Sequence, residues 1–272
     1  MPDSPSPAIA VTDRCQRYGP WALVTGASDG IGRACAEQLA AEGFNLLLVA
    51  RRDHKLEALA HQLGREHHIA CATLAADLGT TDGVALAIAA AANHDIGLMV
   101  AAAGFGTAGA FVGIEPAEEL AMIDVNCRAV VALTHALARQ MQRNRSGRRS
   151  ALVLLSSLVA FQGVPRSATY AASKAFVQVL AEGLRPELAA LGIDVLAVAP
   201  GPVHSGFAAR AGMTMGFAQT PAQVARGALS ALGRTGTIRP GWLAKLLEYS
   251  LALLPRTGRT RIMGLVMAGM KR

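Results

Sequence analysis

Six short, almost continuously apolar runs alternate along this chain with five longer stretches of helix-forming composition. The runs cover residues 22–25, 45–50, 70–75, 98–103, 151–156 and 194–199; the helical stretches cover 30–43, 54–66, 82–93, 117–142 and 168–191. A strand that is apolar on both of its faces must be covered on both, which is how parallel strands joined by crossover helices are packed. The alternation therefore predicts an α/β fold: a doubly wound parallel sheet with helices on both faces, built as a single domain. A chain of 272 residues with 52% hydrophobic content has ample material for one such core. Ligands of such sheets bind outside the carboxyl ends of the strands, where strand order reverses. Gly32, Arg51, Asp77, Gly104, Ser157 and Pro200 all fall at or just beyond those ends.

The first strand breaks into Gly26-Ala27-Ser28-Asp29-Gly30-Ile31-Gly32, and a helix-forming stretch follows. Glycines permit a tight turn and close approach of the backbone to a pyrophosphate, whose charge rests at the helix N-terminus. Far downstream, Tyr170 and Lys174 stand four residues apart in a helical stretch, on one face and a turn apart. A phenol ionises near pH 10 and works poorly as an acid or base at neutral pH unless a cation stands nearby. Lys174 is such a cation. Ser157, thirteen residues before Tyr170, could hold a carbonyl or alcohol oxygen within reach of the phenol. Ser156 competes with it, but alternation along a strand allows only one of the two to face the site.

Taken together, Thr25-Gly-Ala-Ser-Asp-Gly-Ile-Gly32, Asp77-Leu78, Asn126, Ser157, Tyr170-x-x-x-Lys174 and Pro200-Gly201-Pro202-Val203 occur in the order found in the short-chain dehydrogenase/reductase family, which the chain resembles from about Tyr18 to Gly233. The resemblance implies a Rossmann-type fold. It also implies hydride transfer between a nicotinamide dinucleotide and a carbonyl or alcohol, with Asn126, Ser157, Tyr170 and Lys174 as the catalytic set. By the same resemblance Gly26, Ser28, Asp29, Gly30, Ile31, Gly32, Asp77, Leu78, Ala103, Gly104, Tyr170, Lys174, Pro200, Gly201, Val203 and Ser205 border the dinucleotide. Asp77 would lie near the adenine and Asn126 would hold a water leading to Lys174. On the residues alone, Asp77 can equally cap the next helix and Asn126 can make a structural hydrogen bond. One departure stands out: Ala101-Ala102-Ala103-Gly104 replaces the family's Asn-Asn-Ala-Gly.

After the second strand the chain reads Ala50-Arg51-Arg52-Asp53. A small residue followed by a guanidinium suits a 2′-phosphate and favours NADP, with Arg51 as its ligand. NAD is the alternative, since Asp29 stands where some NADP users carry a base and Asp53 could meet a ribose.

The four cysteines show neither C-x-x-C nor metal-ligand spacing, so no metal site is expected, and a reducing cytoplasm fits. Residues 1–17 read as a disordered tail, 18–240 as the dehydrogenase domain, and 241–272 as a helical extension. Net charge is +7, yet from Ser205 onward ten Lys and Arg face a single acid, Glu248. No interleaved aromatics accompany these charges, so nucleic acid is not an expected partner. A second cluster, Arg139 to Arg149, reads as a solvated loop or a lipid-facing surface. Residues 202–220 form an expected substrate lid, with Phe207, Met213, Met215 and Phe217 making it apolar and suited to a steroid-like, fatty-acyl or aromatic carbonyl compound. Residues 241–254 read as a helix packed on the domain or a sister subunit, with peripheral membrane contact as the alternative. By resemblance the chain is expected to form a homodimer or homotetramer through its fourth and fifth long helices. A catalytically silent dinucleotide sensor is the competing function.

Overall fold

The computed structural model describes residues 12–143, 147–207, 218–241 and 254–269. Seven strands form its sheet: β1 (Trp21–Thr25), β2 (Asn45–Ala50), β3 (Cys71–Ala75), β4 (Ile96–Ala101), β5 (Ser150–Leu155), β6 (Ile193–Val198) and β7 (Thr237–Ile238). They lie in the order 3-2-1-4-5-6-7 with every pairing parallel. This is the doubly wound, Rossmann-type sheet expected from the alternation, with the reversal of direction between β1 and β4. Alternate residues of each strand feed opposite faces. Val24, Leu46, Leu48, Val100 and Val153 enter one core, and Leu23, Leu47, Met99, Leu152 and Val195 the other.

Three helices cover the first face: α1 (Asp13–Tyr18), α2 (Gly30–Ala41) and α3 (Asp53–His67). The second carries α4 (Thr81–Ala92), α5 (Pro116–Arg143) and α6 (Ala168–Ala189). Two more follow, α7 (Pro221–Ala231) on the first face and α8 (Arg256–Gly269). The α7 start is a capping box: Thr220 accepts from the Gln223 amide while the Gln223 side chain accepts from the Thr220 amide, and Pro221 opens the helix. That signal stands in the sequence beside β7, a strand too short to show a period.

One expectation changes. The tail is not disordered over 12–17: Thr12 caps α1 and buried Tyr18 donates to Asp194 at 2.5 Å. The Pro- and Ser-rich composition that suggested disorder stops at Pro7, and Thr12-Asp13 is a helix-start signal. Within the arginine cluster Arg148 pairs with Asp95 at 2.7 Å and Arg149 grips Asp194 through two nitrogens, while Arg139 and Arg143 are exposed. Charges at the base of the sheet are used there to pin α1 and the strand ends together. The described part of the C-terminal extension is helical over Arg256–Gly269, within the 241–272 read as a helical extension. The lid residues Met213, Met215 and Phe217 and the helix expected over 242–253 lie outside the described residues.

Candidate active site

At the carboxyl ends of the strands runs one cleft of about 730 Å³. Eighteen of the nineteen residues singled out in the sequence line it: Gly26, Ser28, Asp29, Gly30, Ile31, Gly32, Arg51, Asp77, Leu78, Ala103, Gly104, Ser157, Tyr170, Lys174, Pro200, Gly201, Val203 and Ser205. Asn126 alone stands behind the wall, 1% exposed.

The glycine turn joins β1 to α2. Gly26 has φ of +67°, and a Cβ there would sit 2.9 Å from the Ala103 amide nitrogen. A Cβ on Gly32 would meet the Gly26 carbonyl oxygen at 2.5 Å, so α2 can start this close to β1 only because both residues lack side chains. Asp29 caps α2, accepting from the Gly30 amide at 2.7 Å. The turn thus offers helix-end amides to an anion across a surface stripped of side chains, and a pyrophosphate fits such a cradle. Thr25 supports it from below: its Oγ1 accepts from the amides of Ala102 and Ala103, both at 3.1 Å. Ala102, one of the two alanines that replace the family's asparagines, is therefore held through its backbone, as is Ala103.

Strand β5 runs into Ser156 and Ser157, and the two serines divide the work. Ser156 is buried and donates to the Lys174 carbonyl at 3.1 Å, tying α6 to the end of β5. Ser157 lines the cleft with Tyr170 and draws the phenol's pKa down. Tyr170 and Lys174 occupy one face of α6, with the lysine Nζ 5.8 Å from the phenol ring centroid. Burial pushes the phenol up to about 12 against the pull of Ser157. Lys174 Nζ donates to the Leu155 carbonyl at 2.9 Å, and burial lowers it to about 8. Here the structure departs from expectation. The ammonium rests on a strand carbonyl, and the phenol is governed by burial and Ser157 rather than by the lysine. A bound dinucleotide, being anionic, favours the charged lysine.

Asn126 reaches its place through a π-turn over Asp124–Arg128, one residue wider than the α-helix on either side, a device frequent at functional sites. Its Oδ1 accepts from the Phe105 amide at 3.1 Å, while Nδ2 donates to the Phe105 carbonyl at 2.9 Å and to Ser173 at 3.0 Å. Ser173 in turn donates to the Tyr170 carbonyl at 2.8 Å. The structural hydrogen bond is thus real, and it locks the catalytic helix to the loop after β4. Asn126 Oδ1 and Lys174 Nζ also share the space beside Gly104, where a Cβ would lie 2.9 Å from one and 3.4 Å from the other.

Residues 20–215 match the short chain dehydrogenase family, more than half of the chain. The chain belongs to the short-chain dehydrogenase/reductase family. Among curated members it is 30% identical over 250 residues to a very-long-chain 3-oxoacyl-CoA reductase-like protein of Arabidopsis thaliana, covering 89% of this chain and 79% of that one. It is 31% identical over 191 residues to the inactive hydroxysteroid dehydrogenase-like protein 1 of Pongo abelii, covering 69% of this chain and spanning 57% of that relative's length. A solved short-chain dehydrogenase from Sphingobium yanoikuyae in complex with NADPH superposes with a TM-score of 0.77 at 31% identity, covering 88% of this chain and 94% of the other.

Two of the open choices are resolved by geometry. Thr80, not Asp77, caps α4, accepting from the Gly83 amide at 3.0 Å; Asp77 folds back on the Gly79 amide and faces the cleft. Asp53 is the first residue of α3 and is not among the described residues lining the cleft. Arg52 was passed over in favour of Arg51, yet it donates to Ser28 at 2.9 and 3.2 Å and lies 3.7 Å from Asp29. Also unforeseen are Arg239 after β7 and Arg259, Ile262 and Met263 on α8, all lining the same cleft. The family motifs end before them.

The lysine makes stability depend on pH. Between about pH 8 and pH 10 the unfolded chain holds a proton that folded Lys174 has lost, so stability rises with pH there; above pH 10 the raised Tyr170 acts in the opposite sense. Lys174→Met should remove a rise on the order of 1–3 kcal/mol from urea melts compared at pH 8 and pH 10. The same rise in both proteins would show that Lys174 is not its source.

Proposed function

We propose that this protein is an NADP(H)-dependent oxidoreductase interconverting a carbonyl and an alcohol on a hydrophobic small molecule. The observation that carries the reading is that Ser157, Tyr170 and buried Lys174, whose Nζ lies 5.8 Å from the Tyr170 ring centroid, line one cleft whose other end is the glycine turn. A nicotinamide dinucleotide, when bound, supplies or accepts the hydride at the substrate carbon. The chain's residues do the rest. Ser157 and Tyr170 hydrogen-bond the substrate oxygen, and Tyr170 gives it a proton as negative charge develops there. Lys174 and Asn126 border the space beside Gly104 through which that proton is replaced. Oxidation of the alcohol uses the same groups in reverse. The apolar surfaces of Phe105, Leu158, Val159, Phe161 and Phe207 favour a steroid-like, fatty-acyl or aromatic compound. A relative named as very-long-chain 3-oxoacyl-CoA reductase-like supports that class, whereas the hydroxysteroid dehydrogenase-like relative is named as inactive.

NADP is preferred over NAD because two guanidiniums, Arg51 and Arg52, line the cleft directly after β2. Arg51→Ala and Arg52→Ala should each weaken NADPH binding by about ten-fold or more, and NADH binding little, in fluorescence titrations. Equal losses for the two coenzymes would point to NAD. Absorbance loss of NADPH with apolar ketones tests the activity itself, and its absence across a broad panel would favour the silent sensor.

The free cysteines suit a reducing compartment such as the cytoplasm. A homodimer is proposed through α5 and α6, where Leu120, Phe176 and Val179 are exposed at 65%, 43% and 66%. Sedimentation velocity returning a monomer would count against it.

A further inference from the structure

We propose that Gln162 determines substrate choice: its side-chain oxygen accepts a hydrogen bond from a hydroxyl that the substrate carries away from its reacting carbon. The preferred substrate is then an apolar hydroxy-ketone, or the corresponding diol in the oxidative direction. This deepens the oxidoreductase reading and rests on it. The carbonyl carbon takes the hydride, its oxygen takes the proton of Tyr170, and the distant hydroxyl is unchanged. Gln162 closes the 3₁₀ turn Leu158–Phe161 that Ser157 opens. Its Nε2 donates to the Leu158 carbonyl at 3.1 Å. Only the NH₂ arm of a carboxamide can make that bond, so the oxygen is the arm left over. None of the described residues donates to it.

Gln162 is 7% exposed and lines the cleft. The Gln178 Oε1 and Thr134 Oγ1 atoms are both partnerless and sealed from open space; the Gln162 oxygen is not sealed, and the space that Gln162 borders is the cleft. The other lining side chains of its turn, Leu158, Val159 and Phe161, are apolar, and Val159 packs with Met263 of α8 against Val164 and Ala171. Ser167, a polar neighbour in the lining, is committed as a donor to the Thr107 carbonyl at 3.0 Å. A largely buried acceptor among apolar walls gains most from a ligand that brings it a donor, and a ligand that brings none strands it. The turn itself is held at both ends. The Leu158 amide donates to the Pro200 carbonyl at 3.0 Å, and the Arg239 guanidinium carbon lies 4.2 Å from the Phe161 ring centroid. Along a 3₁₀ turn rising about 2 Å per residue, Ser157 and Gln162 stand roughly 10 Å apart. One short element thus reads the reacting oxygen at its start and the second oxygen at its end.

The test uses full-length protein, ω-hydroxyalkyl phenyl ketones of increasing chain length, their methyl ethers, and the parent alkyl phenyl ketones. Turnover is followed by NADPH absorbance, and binding in the presence of NADP by calorimetry. At the best chain length the hydroxy-ketone should bind about ten-fold more tightly than its ether or its parent, because both leave a buried acceptor unpaired. Gln162→Met, similar in length and lacking the acceptor, should raise KM for the hydroxy-ketone about ten-fold with kcat within about two-fold of wild type. The parent ketone should move the other way, to a lower KM, which a merely structural loss would not produce. Gln162→Leu should give the same crossover, so the test does not hang on the folding of one variant. No chain length at which the hydroxyl is favoured, no ketone of the series bound, or a preference that survives in either variant would overturn the proposal. A Gln162-dependent preference in binding without turnover would uphold it and reject catalysis instead.

Discussion

Tyr170→Phe should lower kcat by about 10³-fold or more while dinucleotide affinity stays within about two-fold of wild type. The change removes one oxygen from a half-buried ring. That oxygen lines the cleft with Ser157, on the face of α6 that also carries Lys174, where it could protonate a substrate held there. The ring's packing against Phe207, with centroids 5.2 Å apart, is kept, so the fold should not suffer. Because burial holds the phenol up near 12, it is a proton donor at neutral pH and ionises only as charge passes to the substrate oxygen. Steady-state kinetics with coenzyme titration checks both halves of the prediction. Substantial residual turnover would move the acid elsewhere, and loss of coenzyme binding would mean the ring positions the dinucleotide instead.

Gly26→Val is expected to be the most damaging single change at the coenzyme end. It places a β-branched side chain at φ +67°, where its Cβ meets the Ala103 amide nitrogen at 2.9 Å. Strain and overlap together should cost roughly 2–5 kcal/mol of stability. They should also weaken NADPH binding by about 10²-fold or more, because the turn that presents the α2 amides is displaced. Urea melts and fluorescence titration read the two effects separately. A milder Gly26→Ala retains the φ problem with less bulk and should fall between wild type and valine. Near-normal affinity in the valine protein would show that this turn does not carry the pyrophosphate.

Most of the sheet was legible before any coordinate, since parallel strands buried on both faces must be apolar throughout, as residues 45–50 and 151–156 are. Strand ends shifted by one or two residues, because apolar composition continues past the last ladder bond at Ala101. The glycine turn, Ser157 and the Tyr170–Lys174 pair were readable because local spacing determines which face they share. What escaped was local in signal but not interpreted, as with the Thr220–Gln223 box, or wholly non-local. Nothing around Arg52 says that it, rather than its neighbour, will reach back to Ser28 across a different loop.

The amino-acid order by itself determined the α/β architecture, the glycine turn and the helix face shared by Tyr170 and Lys174, each set by periodicity or by spacing within one element. Tertiary structure alone decided that Lys174 rests on the Leu155 carbonyl, that Asn126 is spent on Phe105 and Ser173, and that α8 brings Arg259 to the cleft. These are meetings between segments far apart in the chain. Their partners are chosen by packing and desolvation, which no local pattern encodes.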